Sequence, residues 1–191
     1  MISIVYCTRE SNPKYKEHLI KTSGLYKDVD IIEIVNNGES LTKAYNRGLK
    51  EAKYDIVVFL HDDITIETKQ WAKKLVKLYE KNKEYGILGV AGSKFLGEDG
   101  KWWSKTKKMY GQVKHTHEGK SWLSSYSPSI GLNIEEVVAV DGVFFSIHKG
   151  RVKHNFDESV EGFHFYDIDF CFKNYLSDVK IGVHTNIRIY Q

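Results

Sequence analysis

Asp55-Ile-Val-Val-Phe-Leu60-His61-Asp62-Asp63 is the stretch on which the fold turns. Residues 56–60 are continuously apolar, without the alternation of a strand wetted on one face. That pattern predicts a strand buried on both faces of a parallel sheet. Two carboxylates then fall at its carboxyl end, where open α/β sheets bind ligands. Adjacent aspartates repel unless a cation or donor groups compensate. A hard divalent ion bridging to phosphate oxygens answers that need. Capping of the helix that begins near Glu67 would explain a lone Asp equally well.

Working outward, strand and helix signals alternate at short intervals. Ile2 to Cys7 reads as an opening strand, and Lys14 to Ser23 as a helix stopped by Gly24. Val29 to Val35 reads as a second strand. Ser40 is placed to cap a helix over Leu41 to Ala52. After the 55–60 strand, Trp71, Leu75, Leu78 and Tyr79 define the buried stripe of a helix from Thr68 to Lys81, and Gly86 to Ala91 follows as a fourth strand. This order predicts a three-layer, Rossmann-like α/β fold with a mainly parallel central sheet and the 55–60 strand near its middle. Residues 93–133 have no persistent period and read as a long loop, which we expect to order around a bound ligand. Glu135 to His148 reads as one long strand interrupted by Asp141-Gly142, Phe163 to Leu176 as containing a helix, and Val179 to Val183 as a last strand reaching His184.

Composition narrows the classes. The 191 residues suit one domain, with about 1–92 as a half whose strand–helix order is of the nucleotide-binding type and about 93–191 as the other half. The 28 basic residues against 25 acidic ones leave a net charge of +3, which gives no footprint for nucleic acid. Cys7 and Cys171 are too few for a disulfide or metal framework and read as buried thiols. No apolar run approaches the ~20 residues of a membrane span, and no signal-peptide pattern opens the chain, so the expectation is a cytoplasmic protein.

Further residues carry potential chemistry. Asp141-Gly142 sets an acid beside a residue that permits close backbone approach. Asp167 and Asp169 point to different faces of a helix, so one can face a cleft while the other caps or pairs with a lysine. Thr8, Arg9 and Glu10 follow strand one, and Asn36 and Asn37 follow strand two, at the strand ends where a base and ribose would lie; turn chemistry explains both as well. No glycine-rich phosphate loop follows strand one. Trp102, Trp103 and Trp122 offer flat apolar faces, suited to stacking on a ligand ring or to forming the apolar underside of a loop. His115 and His117 read as solvated loop.

Together these motifs resemble the GT-A glycosyltransferases, near family 2 and its short glycosyltransferase-like relatives. Ser40 to Ala52, Asp55 to Asp63, Val140-Asp-Gly-Val-Phe-Phe145, Phe156-Asp157-Glu158 and Phe163 to Phe170 occur in the family's order. The resemblance implies transfer of a hexose from a nucleoside diphosphate sugar, UDP-linked by preference, to a hydroxyl acceptor such as a glycan, with Mn2+ or Mg2+. It makes Asp63 the metal ligand, with His184 completing the site. Asp167 becomes the base of an inverting reaction and Asp141 its runner-up. His61 and Asp62 would contact the donor, and Lys43 and Asn46 would line its pocket. His61 stands where the family has Asp, and Tyr166 where it has Glu. A catalytically silent sugar- or nucleotide-binding module, or a nucleotidyltransferase, are the competing readings.

Overall fold

The computed structural model describes residues 1–35, 38–117, 120–126 and 134–191. The elements run β1 (Ile2–Thr8), α1 (Pro13–Ser23), β2 (Val29–Val35), α2 (Leu41–Glu51), β3 (Ile56–Leu60), β4 (Thr65–Ile66), α3 (Trp71–Lys81), β5 (Tyr85–Gly89) and β6 (Ala91–Ser93). They continue with β7 (Met109–His117), β8 (Lys120–Ser125), β9 (Glu135–Val137), β10 (Ala139–Val140), β11 (Phe144–His148), α4 (Tyr166–Leu176), β12 (Lys180–Val183) and β13 (Ile189–Tyr190). No helix among the described residues is long and apolar enough to cross a membrane.

A seven-stranded sheet of order β2-β1-β3-β11-β5-β12-β9 forms the centre. β2, β1, β3, β5 and β12 run one way, while β11 and β9 oppose them. The mainly parallel sheet and the near-central 55–60 strand are therefore as expected, and every residue of β3 is buried. Right-handed crossovers from β1 to β2 and from β2 to β3 run in opposite lateral directions, which puts α1 and α2 on opposite faces. Alternate side chains serve the two layers. Tyr6 meets Tyr15 of α1, whereas Val5 lies against Gly48 of α2. Phe144 meets Trp71 of α3, and Phe145 meets Phe170 of α4. Both faces of these strands are dry, which is why their sequences do not alternate.

Two expectations are corrected. The apolar run 135–148 is three strands in three places: β9 at the edge of the central sheet, β10 in a second sheet, and β11 antiparallel between β3 and β5. The fourth parallel strand, β5, is thereby separated from β3. A run of apolar residues records burial and not the sheet that provides it. The second correction concerns residues 93–133, which contain the antiparallel pair β7–β8. Met109, Gly111 and Val113 point inward between half-buried Tyr110, Gln112 and Lys114, a true period of two in which glycine hides one inward position. β7 belongs to the second sheet, of order β10-β6-β7-β13-β4 with β8 on β7.

The α2–β1 contact is close because position 48 has no side chain. A Cβ there would lie 2.4 Å from Val5 Cγ1. Gly48→Ala gains about 1 kcal/mol of helix propensity but overpacks a filled layer, at a cost of about 1–3 kcal/mol. We expect net destabilisation in urea unfolding; an unchanged or raised midpoint would mean the layers separate freely here.

Candidate active site

β3 ends in half-buried His61 followed by exposed Asp62 and Asp63. The antiparallel neighbour β11 enters alongside, and the His61 N–H donates to the Val143 carbonyl at 3.2 Å. That register brings Asp141-Gly142 beside the end of β3. The Asp141 N–H donates to Ala91 O at 2.9 Å, and its Oδ1 accepts from Val143 N at 3.0 Å. The interruption at Asp141-Gly142 is thus the corner where the chain leaves the second sheet for the first.

The third contributor is the start of α4. Phe165 sits at its N-cap with φ 62°, a left-handed turn that aims the first helical turn at the corner. Asp167 Oδ2 accepts the Gly142 N–H at 2.8 Å. Tyr166 donates its hydroxyl proton to Gly142 O at 3.2 Å and lies 3.1 Å from His61 Nε2. Position 142 must be glycine, since a Cβ would lie 2.1 Å from the Tyr166 hydroxyl. These groups line a cleft of about 620 Å3 together with Trp102 and Trp103. Exposed Phe163 and Phe165 rim it.

Two carboxylates share this cleft. Burial pushes Asp141 up to about 7, and the Asp167 charge adds to the rise against one backbone N–H from Val143. Burial also raises Asp167, but the N–H groups of Gly142, Ile168 and Asp167 itself, and the nearby His61, oppose it. Asp167 therefore has more support for its charge than Asp141 does. Asp169 faces elsewhere, bonded to Lys173 at 2.9 Å, as the helical offset from Asp167 requires.

The other sequence candidates separate. Thr8 Oγ1 donates to Glu10 O at 2.9 Å, which is turn chemistry, and Arg9 and Glu10 are exposed. Asn36 and Asn37 lie outside the described residues. Lys43 is exposed on α2. Asn46 holds the 156–158 loop, donating to Phe156 O and Glu158 Oε1, both at 2.9 Å, and accepting from Phe156 N at 3.0 Å. Trp102 is buried, edge-on to Trp103 and Tyr126, whereas Trp122 stacks on His115 of β7 and does not line the cleft. Tyr166, Tyr15 and Tyr45 carry no motif of their own. Only the position of Tyr166, directly ahead of Asp167, marks it.

Asp62 and Asp63 are felt by their neighbours. After burial, their charges are the next causes that raise the Tyr15 hydroxyl, which itself reaches His61 O at 3.3 Å. His184, at the end of β12, is fully buried, has no partner at either ring nitrogen, and is lowered to about 4 by burial. It is thus a neutral imidazole with free lone-pair capacity, the form that ligates metals. Among the described residues no three His, Cys, Asp or Glu side chains gather into a cage. Exposed carboxylates with few protein partners fit a cation that takes its remaining oxygens from phosphate and water.

The sequence from 5 to 189 matches the model of a glycosyltransferase-like family. No curated protein matches it. Solved structures with the same fold include S. aureus TarS 1–349 with UDP-GlcNAc, at 14% identity and TM-score 0.62. GalNAc-T7 with UDP, GalNAc and Mn2+ aligns at 13% and 0.59, and the mannosyltransferase PcManGT of Pyrobaculum calidifontis with GDP-Man and Mn2+ at 10% and 0.59. Each alignment covers all of this chain but 58%, 43% and 56% of those solved chains respectively, so the chain spans about half their length. With residues 5–189 matched, the chain belongs to the glycosyltransferase-like family, and its mixed sheet is the GT-A fold.

Proposed function

We propose that the protein transfers a hexose from a nucleoside diphosphate sugar to an acceptor hydroxyl, with inversion, using Asp167 as the base. One observation carries this reading: Asp167 and Asp141 face a single cleft at the carboxyl end of the strand that bears Asp62-Asp63. The solved relatives lend support, since two of the three were crystallised with UDP or UDP-GlcNAc, which favours a uridine donor.

Attack on an anomeric carbon requires removal of the acceptor proton on the face opposite the leaving group. Asp167 takes that proton on its carboxylate. Its backbone donors hold it in place and favour its ionised form, whereas Asp141 keeps its proton up to about 7 and can hydrogen-bond the acceptor hydroxyl. Trp102 and Trp103 give the acceptor a flat apolar wall and exclude water from the reacting centre. Asp63, with His184 as second ligand, would hold a divalent cation, Mn2+ or Mg2+. When bound, that ion neutralises charge on the leaving diphosphate. Arg9, Lys43, Asn36 and Asn37 would complete the donor side.

Assays of transfer and donor hydrolysis with a panel of sugar nucleotides, with and without Mn2+, test the reading; a protein that binds donor without turnover is the silent module instead. Asp167→Asn should lower kcat by roughly 10²–10⁴-fold with donor KM unchanged. If Asp141→Asn abolishes transfer and Asp167→Asn does not, the two roles are exchanged. Asp63→Ala should remove most metal-dependent turnover with no loss of Tm, because the side chain is exposed; persistent metal dependence would reject it as a ligand.

The raised Asp141 also predicts a stability profile. A carboxyl whose folded value exceeds its unfolded value of about 3.9 favours the folded state below that value and loses the contribution as pH rises through about 7. The Asp141 contribution should therefore lower Tm as pH rises from about 4 to about 7 and level off above it. Asp141→Asn should flatten that part of the curve and raise Tm at pH 8; a parallel curve in the variant would show that Asp141 ionises normally.

A further inference from the structure

We infer that His61 is a positioning residue for Asp167, acting as a hydrogen-bond donor through Tyr166, and does not serve as a ribose contact. The inference rests on the transferase reading for its kinetic consequence, and on hydrogen-bond bookkeeping for its geometry.

A tyrosine hydroxyl has one proton to give. The Tyr166 hydroxyl lies within hydrogen-bond distance of Gly142 O and of His61 Nε2, at 3.2 and 3.1 Å. A carbonyl oxygen can only accept, so the proton belongs to Gly142 O. Were it given to His61, the carbonyl of a buried residue would lose that partner and stand unsatisfied. It follows that Nε2 of His61 carries a proton and donates it to Tyr166. Tyr45 of α2 packs edge-on to the Tyr166 ring, centroids 5.5 Å apart. The chain therefore runs in one direction, from His61 to Tyr166 to Gly142 O. On its other side, Gly142 donates its N–H to Asp167 Oδ2 at 2.8 Å.

Gly142 is consequently gripped from both sides, with no room for a Cβ between Tyr166 and Asp167. Anything that turns the Tyr166 hydroxyl moves the residue that holds the Asp167 carboxylate. Main-chain contacts set the starting point: His61 N donates to Val143 O, and Tyr15 donates to His61 O at 3.3 Å. The ring of His61 is thus aimed into the carboxylate cleft, which it lines, by a backbone tied on both sides. A carboxylate at position 61 could only accept. It would take the Tyr166 proton, free the Gly142 carbonyl, and add a further negative charge beside Asp167. The donor polarity of His61 and the tyrosine ahead of Asp167 therefore form a matched pair.

The test compares side chains of equal reach and opposite polarity. His61→Gln keeps an amide donor near the Nε2 position, whereas His61→Glu offers only acceptors. His61→Glu and Tyr166→Phe should each lower kcat by about 10–100-fold, the scale of a sub-ångström to 1 Å misplacement, with donor KM within about twofold of wild type. His61→Gln should recover at least about tenfold of kcat over His61→Glu. Equal damage from Gln and Glu, or an effect falling on donor KM with kcat intact, would overturn the assignment and return His61 to the donor site. A second measurement needs no turnover. Imidazole 15N shifts of His61 should report a proton on Nε2, and an unprotonated Nε2 would reverse the chain and sink the inference. Lack of turnover by the wild type with every sugar nucleotide would count against the transferase reading alone, and the 15N result would then decide the chain by itself.

Discussion

The placement of β11 between β3 and β5 is the constraint on which the rest of the molecule depends. Its antiparallel register sets Phe144 opposite Leu60 and Phe145 opposite Phe59, so its first residues meet the last residues of β3. The corner that precedes β11, Asp141-Gly142-Val143, is thereby pinned to His61 by a main-chain bond. A parallel neighbour would have brought its carboxyl end to that point. An antiparallel one brings its amino end, and with it the turn that enters from the second sheet.

Around this junction an aromatic cluster fixes the helices. Phe156 is its hub, stacked on Phe170 at 4.3 Å and edge-on to Tyr45 and Phe59 at 5.5 and 5.2 Å. Such pairs add about 0.5–1.5 kcal/mol each beyond their burial. The loop that carries Phe156 is held by Asn46 from α2 and by Lys173 from α4, which bonds Asp157 and Asp169. Hydrogen bonds from Thr42 to Val160 O and from Leu41 N to Gly162 O extend the seam toward the turn that starts α4. The position of Asp167 is thus the end point of a packed layer and not of a free loop.

Electrostatics then divides the acids by their surroundings. Asp62 and Asp63 stand in solvent at the strand end, whereas Asp141 and Asp167 lie in a cleft walled by aromatic side chains. Desolvation raises both members of the second pair and the Asp167 charge raises Asp141 further, while backbone donors support Asp167 more than Asp141. Carboxylates of one type acquire different readiness to ionise because the fold distributes N–H groups unequally between them.

The amino-acid order alone carried the strand ending at Leu60, the buried helical stripe of α3, the Gly24 stop after α1, and the coincidence of acids with strand ends. Each is a local signal: period, run length, or a residue that only certain backbones accept. It also marked Asp141-Gly142 and Asp167 separately. The tertiary structure alone brought these two together, because Gly142 and Asp167 stand 25 positions apart in the chain with the whole of β11 between them. It likewise split the run 135–148 among two sheets, assigned Asn46 to a loop and Trp122 to a hairpin, and gave Tyr166 its place between His61 and Gly142. The physical reason is common to all of them. A side chain's partner across the fold is chosen by strand order and register, and apolar periodicity carries the need for burial without naming the neighbour that supplies it.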